Sequence, residues 1–211
     1  MLKSSPLEKS GILKKKLNPK IYDGGLPWDD PEPRFIGIDQ SYSGFAITSM
    51  TADGRYYTEV YEGQGRGVER LSDIRSFLSN YLEWSHEQIK GAAIEGYAYG
   101  AQMAHMAGEL GGMVKLELLF WFYDEDNQDA RYPVVVAPTQ VKKYVTGKAQ
   151  GVQKNQILMQ TYKKWGVEFD NDNAADSYAL ARIACGLGEL SYEREIIDKL
   201  LDPKYREKPW Y

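Results

Sequence analysis

Three strand-like runs crowd into residues 34–61 and limit what this chain can become. Arg34–Asp39 (RFIGID), residues 44–50 (GFAITSM) and Tyr56–Tyr61 (YYTEVY) are short and rich in apolar and β-favouring side chains. The links between them are a few residues long, and Asp53-Gly54 in the second is a hairpin signal. Parallel neighbours need a longer crossover, so the three runs read as an antiparallel meander. Beyond residue 61 the chain alternates between helical and strand periods. Val68, Leu71, Ile74, Phe77 or Leu78, and Leu82 recur at helical spacing. Residues 92–95 read as a short buried strand, 101–123 as a long helix rich in small residues, and 124–129 as an acidic loop. Residues 132–137 form another apolar strand, after which Pro138 can open a helix at its first turn. Ile157, Leu158 and Tyr162 mark a further helix. Residues 173–187 form a well-patterned one, and Ser191–Leu201 is amphipathic. Three β, α, β, α, β and then helices is the order of a mixed α/β layer structure.

The chain is expected to divide into a flexible basic arm over residues 1–33, a folded α/β domain over 34–190, and a C-terminal helix and tail over 191–211. The arm holds five prolines and little periodicity. No apolar run approaches the ~18 residues that span a bilayer, and residues 1–20 lack the continuous apolar segment of a secretory signal. No membrane partner and a cytoplasmic location are therefore expected. One cysteine, Cys185, excludes an internal disulfide framework and a cysteine-rich zinc site. Two histidines, His86 and His105, leave no multi-histidine site.

The formal net charge of −4 argues at first against a nucleic-acid partner, but the distribution says otherwise. Residues 1–20 carry +5. Residues 137–167 carry +6, with six lysines (Lys142, Lys143, Lys148, Lys154, Lys163, Lys164) and no acid. The other 160 residues then carry −15. Basic segments on an acidic body can be solvated helix faces, or a surface for a polyanion beside a carboxylate-rich centre.

Three carboxylates favour the second reading. Asp39 ends the strand Phe35-Ile36-Gly37-Ile38-Asp39, whose two apolar faces mark it as central. An ionised Asp there costs several kcal/mol unless compensated. Glu95 ends the strand Ala92-Ala93-Ile94 in the same way. Asp176 heads a helix whose Ala179, Leu180, Ile183 and Leu187 continue its core-facing stripe. Each has a plain structural explanation: a strand-end turn for Asp39, a solvated strand end for Glu95, and for Asp176 a capping box with Asn173 as N-cap. Together they suit divalent cations that take oxygen ligands. Two such ions ~3.5–4 Å apart serve phosphodiester hydrolysis, with Asp39 bridging them from the central strand.

At these residues the sequence resembles a family. Gly37-Ile38-Asp39-Gln40-Ser41-Tyr42-Ser43-Gly44-Phe45-Ala46-Ile47 is similar to the first-strand motif of RuvC-type Holliday-junction resolvases, and Ala93-Ile94-Glu95 to their second acidic motif. Ala137-Pro138-Thr139-Gln140-Val141-Lys142-Lys143-Tyr144-Val145-Thr146-Gly147, followed by Lys154, resembles their basic helix region. Ala174-Ala175-Asp176-Ser177-Tyr178-Ala179-Leu180-Ala181 resembles their last motif. The resemblance implies a ribonuclease H-like fold: a mixed five-stranded sheet, meander plus parallel strands, flanked by helices. It also implies a homodimer and paired nicking of four-way DNA junctions that leaves 5′-phosphates, supported by Mg²⁺ (two ions per site) or by Mn²⁺ in its place. Asp39, Glu95 and Asp176 match the metal ligands. The fourth ligand position, three residues before the last Asp, is Asn173, a departure that Asp172 or Asp170 could make good. Lys142 and Lys154 match lysines near the scissile phosphate. The short turn after Asp39 and the N-terminal arm look like phage-encoded versions, which act in the cytoplasm of a bacterial host.

On this reading Lys142, Lys143, Lys148 and Lys154 line the DNA path, and Tyr97 and Tyr99 could stack on bases opened at a junction, at ~1–3 kcal/mol per base. The small residues from Ala98 to Gly112 suit close packing on the sheet or close approach of two helices across a dimer axis. Competing expectations are a junction-binding module with an incomplete metal site, motivated by Asn173, an actin-like ATPase, and a plain ribonuclease H. The ATPase needs a second domain for which 211 residues leave little room. The ribonuclease is disfavoured by the Pro-x-Gln-Val-Lys run.

Overall fold

Alternating strands and amphipathic helices resolve into one sheet with helices against both faces. The computed structural model describes residues 19–27, 29–96, 104–122 and 133–202. Among them run β1 (Lys20–Gly24), β2 (Arg34–Asp39), β3 (Phe45–Met50), β4 (Tyr56–Tyr61), α1 (Val68–Ser85), β5 (Ile89–Glu95), α2 (Ala104–Phe122), β6 (Val134–Val136), α3 (Pro138–Thr146), α4 (Lys154–Trp165), α5 (Asp172–Cys185) and α6 (Ser191–Leu201). The sheet order is β1-β4-β3-β2-β5-β6. β2, β3 and β4 form the expected antiparallel meander, and β5 and β6 add to it in parallel with β2.

The sheet has six strands where five were expected. The sixth, β1, comes from the segment read as an arm and pairs antiparallel with β4, Tyr22 opposite Thr58. Its signal is faint because a half-exposed edge strand of five residues needs only Ile21 and Tyr22 to be apolar. The residues after it are docked too. Leu26 is buried. The buried Arg34 guanidinium donates to the carbonyls of Pro27 and Asp30 at 3.2 and 2.5 Å. Arg55 reaches from the β3–β4 turn to Asp30 and Glu32 at 2.7 and 2.6 Å. From Lys20 onward, the expected arm belongs to the folded body.

Side-chain alternation along β2 divides the core. Ile36 and Ile38 face one layer, with Ile74, Leu78 and Leu82 of α1 and Leu110, Val114 and Leu118 of α2. The other face packs α5 against Ala46, Ala93 and Val136. Gly37 lets this happen. A β-carbon there would stand 2.1 Å from the Ser177 carbonyl oxygen and 2.2 Å from the Ala181 nitrogen, so α5 rests on bare strand backbone. Leu180 and Ile183 of α5 are fully buried, each stabilising by roughly 1.5–3 kcal/mol.

Polar pairs lock the layers. Thr48 of β3 bonds both Thr58 of β4, at 2.7 Å, and Ser177 of α5, at 2.8 Å. Lys164 of α4 donates to the Tyr144 and Val145 carbonyls and pairs with the buried Glu193, tying α6 to α3 and α4. Glu117, the acid in the most apolar stretch of α2, is buried but paired with Arg75 at 2.7 Å. The ring of His86 packs 4.9 Å from Trp121, and the half-buried Cys185 sits against the Thr51 carbonyl, both as packing groups.

Candidate active site

The sheet sets two carboxylates side by side. β2 and β5 are parallel and in register through Ile38 and Ile94, and the next residues are Asp39 and Glu95. Both therefore stand at the carboxyl ends of adjacent central strands. Ile38 and Ile94 point to the α1 and α2 layer, so Asp39 and Glu95 point to the other face, where α5 lies. The Gln40 side chain donates to the Glu95 carbonyl and joins the two strand ends.

α5 brings the third. Its close seat on Gly37 puts Ser177 over β2, and Asp176 precedes Ser177. Its N-cap is Asn171, whose side chain accepts from the Ala174 N–H at 3.1 Å. This corrects the expected capping box: Asn173 is not the cap, and Asp176 lies past the first turn, freed from capping. Asp172 opens the helix and shares a face with Asp176 at i, i+4. The Asn173 amide nitrogen instead lies 2.5 Å from where a β-carbon at Gly44 would be, against the turn that follows Asp39. A side chain at 44 would displace it.

The electrostatics record that the carboxylates are neighbours. Asp39 is 5% exposed. Burial first, then the charges of Glu95, Asp176 and Asp172, hold its carboxyl well above the usual range. Burial and Asp176 push Glu95 up to about 8, opposed by Lys142 and Lys154. Burial and Asp172 push Asp176 up to about 7, opposed by the same lysines. Lys154, at the first turn of α4, ion-pairs with Asp172, and this hydrogen bond raises its own pKa. Four carboxylates and two lysines from five elements thus share one field.

The remaining expected residues divide. Lys143 turns away to Glu195 of α6 at 3.3 Å. Lys148 is exposed in the loop between α3 and α4. Asp170, one of the alternatives for the fourth ligand, is engaged elsewhere: it accepts from Lys20 and from the Tyr22 hydroxyl, both on β1. Tyr97 and Tyr99 lie outside the described residues. Lys20, Tyr22 and Gln40 were not foreseen. Only the apolar pair Ile21-Tyr22 in KIYDG hinted at the first two.

The donor set suits a hard divalent cation: all oxygens, mostly buried, with more negative charge than two lysines offset. Among the described residues, no three acidic or histidine side chains already stand close enough to form a cation cage. The carboxylates feel one another's charge without converging on one point.

Solved structures share this fold. RuvC of Thermus thermophilus aligns with a TM-score of 0.55 and 17% identity, covering 70% of this chain and 90% of that one. The same protein in complex with Holliday junction substrate aligns at 0.55 and 17%, covering 71% and 91%. The yeast mitochondrial Holliday junction resolvase aligns at 0.50 and 13%, covering 84% and 86%. No protein-family model and no curated protein matches the chain. At these identities the likeness establishes the fold: RuvC-like and ribonuclease H-like, as the motifs led us to expect.

Proposed function

We propose that this chain is a structure-selective DNA endonuclease that resolves four-way junctions by paired phosphodiester hydrolysis on opposing strands. What supports the reading most is the placement of Asp39 and Glu95 at adjacent strand ends, beneath the helix that carries Asp176, with the charges of Lys142 and Lys154 felt there. Solved resolvases with the same fold, one of them bound to a Holliday junction, add support.

Asp39, Glu95 and Asp176 would hold Mg²⁺, with Asp172 or the Asn173 carbonyl as a further ligand. Bound there, the cations supply Lewis acidity for attack of water on phosphorus. The new bond is water oxygen to phosphorus. The bond that breaks joins phosphorus to the 3′ oxygen, which leaves as a hydroxyl, so the 5′ end keeps the phosphate. Lys142 and Lys154 offset the charge that builds on the phosphate, an effect worth several kcal/mol in a dry site. Lys148 extends the same basic rim along the duplex.

Two strands cut symmetrically call for two copies, and α2 offers a self-complementary ridge. Gly108, Gly112, Leu116 and Phe120 recur at every fourth residue. Leu116 and Phe120 are 68% and 74% exposed, and a β-carbon at either glycine would meet nothing. An antiparallel pair of such helices sets large side chains of one over the glycines of the other.

Nicking of synthetic four-way, Y-shaped and linear duplex DNA in Mg²⁺ tests the reading, with Asp39→Asn as control. We expect four-way junctions to be cut, and the variant to bind without cutting. A junction-binding module without catalysis is the second reading, favoured by Asn173 at a ligand position. Tight junction binding without nicking by the unmutated chain would establish it and overturn the first.

A further inference from the structure

We propose that Lys20 and Tyr22, on the sixth strand, are positioning residues for the carboxylate cluster. They fix Asp170 and, through it, the start of α5. The proposal rests on the cluster's role as a cation site for nuclease chemistry.

Lys20 Nζ lies 2.7 and 2.5 Å from the two carboxylate oxygens of Asp170, and the Tyr22 hydroxyl donates to one of them. Lys20 and Tyr22 alternate along β1 and so share its α5-side face. The residues around Asp170 are held as well. Phe169 is buried, with its ring 5.1 Å from that of Tyr22 and 5.5 Å from that of Tyr178 on α5. Asn171 caps the helix. Residues 169, 170 and 171 are thus each fixed by a different contact: ring packing, an ion pair with a hydroxyl, and a cap. The next residue is Asp172, and Asp176 stands one turn later on the same face.

The seat on Gly37 holds the middle of α5, and the contacts at 169–171 hold its first turn, where Asp172 stands one turn before Asp176. Two of the three contacts that set this start come from β1. The edge strand is thereby coupled to the site. Outer partners that orient ligand-bearing groups typically change cation affinity or activity by about 10–100-fold when removed.

The test uses the full chain and Mn²⁺ alone as probe. The readout is the thermal shift against Mn²⁺ concentration, followed by single-turnover nicking and by junction binding measured separately. Tyr22→Phe and Lys20→Ala should each raise the Mn²⁺ midpoint of the thermal shift, about ten-fold in the double variant. Nicking should slow in parallel, with junction affinity unchanged. Lys20→Arg, which keeps the ion pair, should restore the midpoint. Ile21→Ala perturbs the same strand from its half-exposed opposite face and should leave the midpoint alone. A lowered melting temperature with an unmoved midpoint in the double variant overturns the proposal, because β1 would then be structural only. A displaced midpoint in a chain that nicks no junction supports the positioning role and overturns the nuclease reading instead.

Discussion

Asp39, Glu95 and Asp176 are costly to keep ionised, and that cost makes predictions. Their folded pKa values are raised, so the native state holds protons that the unfolded chain has released. The stabilising contribution is complete below the unfolded values and is lost as pH rises through the folded ones. Without divalent cation, thermal stability should therefore fall as pH rises toward about 8, the value to which Glu95 is raised. Glu95→Gln should flatten that profile and stabilise at alkaline pH by on the order of 1–3 kcal/mol; a calorimetric pH series checks it. Lys142 makes a second prediction. Lys142→Ala should reduce the salt slope of junction binding by about one unit, as expected for loss of one phosphate contact. An unchanged slope removes Lys142 from the DNA path. Asp39 and Glu95 were legible in the sequence because a lone acid at the end of an apolar strand is conspicuous, and Asp176 because it heads the core-facing stripe of a helix. Asp172 was legible only as an alternative, because nothing local reveals its ion pair with Lys154, eighteen residues away. The Lys20 and Tyr22 contacts with Asp170 were not legible, since they join positions about 150 residues apart.

Elements differ in how clearly they announce themselves. The meander was legible because three half-buried strands in a row leave a strong period and short links. The start of α5 was misplaced by sequence reasoning. Asn171 and Asn173 both suit an N-cap, and only the tertiary seat of Asn173 against Gly44 leaves the task to Asn171. α2 reads from sequence as small-residue packing with two uses, on the sheet or across a dimer axis. Its buried face is built of large residues, Leu110, Val114 and Leu118, while Gly108 and Gly112 lie outward beside Leu116 and Phe120, the ridge proposed for the dimer. Phe120→Glu should therefore shift the chain toward monomer by roughly ten-fold or more in dissociation constant, since hot-spot aromatics are worth about 2 kcal/mol or more. Light scattering across a dilution series measures it. A monomeric unmutated chain would remove the ridge from any dimer.

At the scale of the whole molecule, the boundary between arm and body decides what can be removed. Deleting residues 1–18 should leave the melting temperature within a few degrees, because a loss near 1 kcal/mol shifts it by only about 2–4 °C at this size. Deleting residues 1–33 should cost several kcal/mol. That deletion takes away β1, the buried Leu26, and the carbonyl partners of the buried Arg34. Equal stability of the two truncations would return the segment to the status of an arm. The sequence by itself determined the meander, the three acids, the basic helix region and their order along the chain. Each of these is written in the period or chemistry of neighbouring residues. Only the tertiary structure decided that β1 joins the sheet, that Asn171 caps α5, and that Asp170 bonds β1 rather than standing among the carboxylates. Those outcomes depend on groups far apart in the chain. Their energies appear only once the sheet register and the contact of α5 with Gly37 have brought the partners within reach.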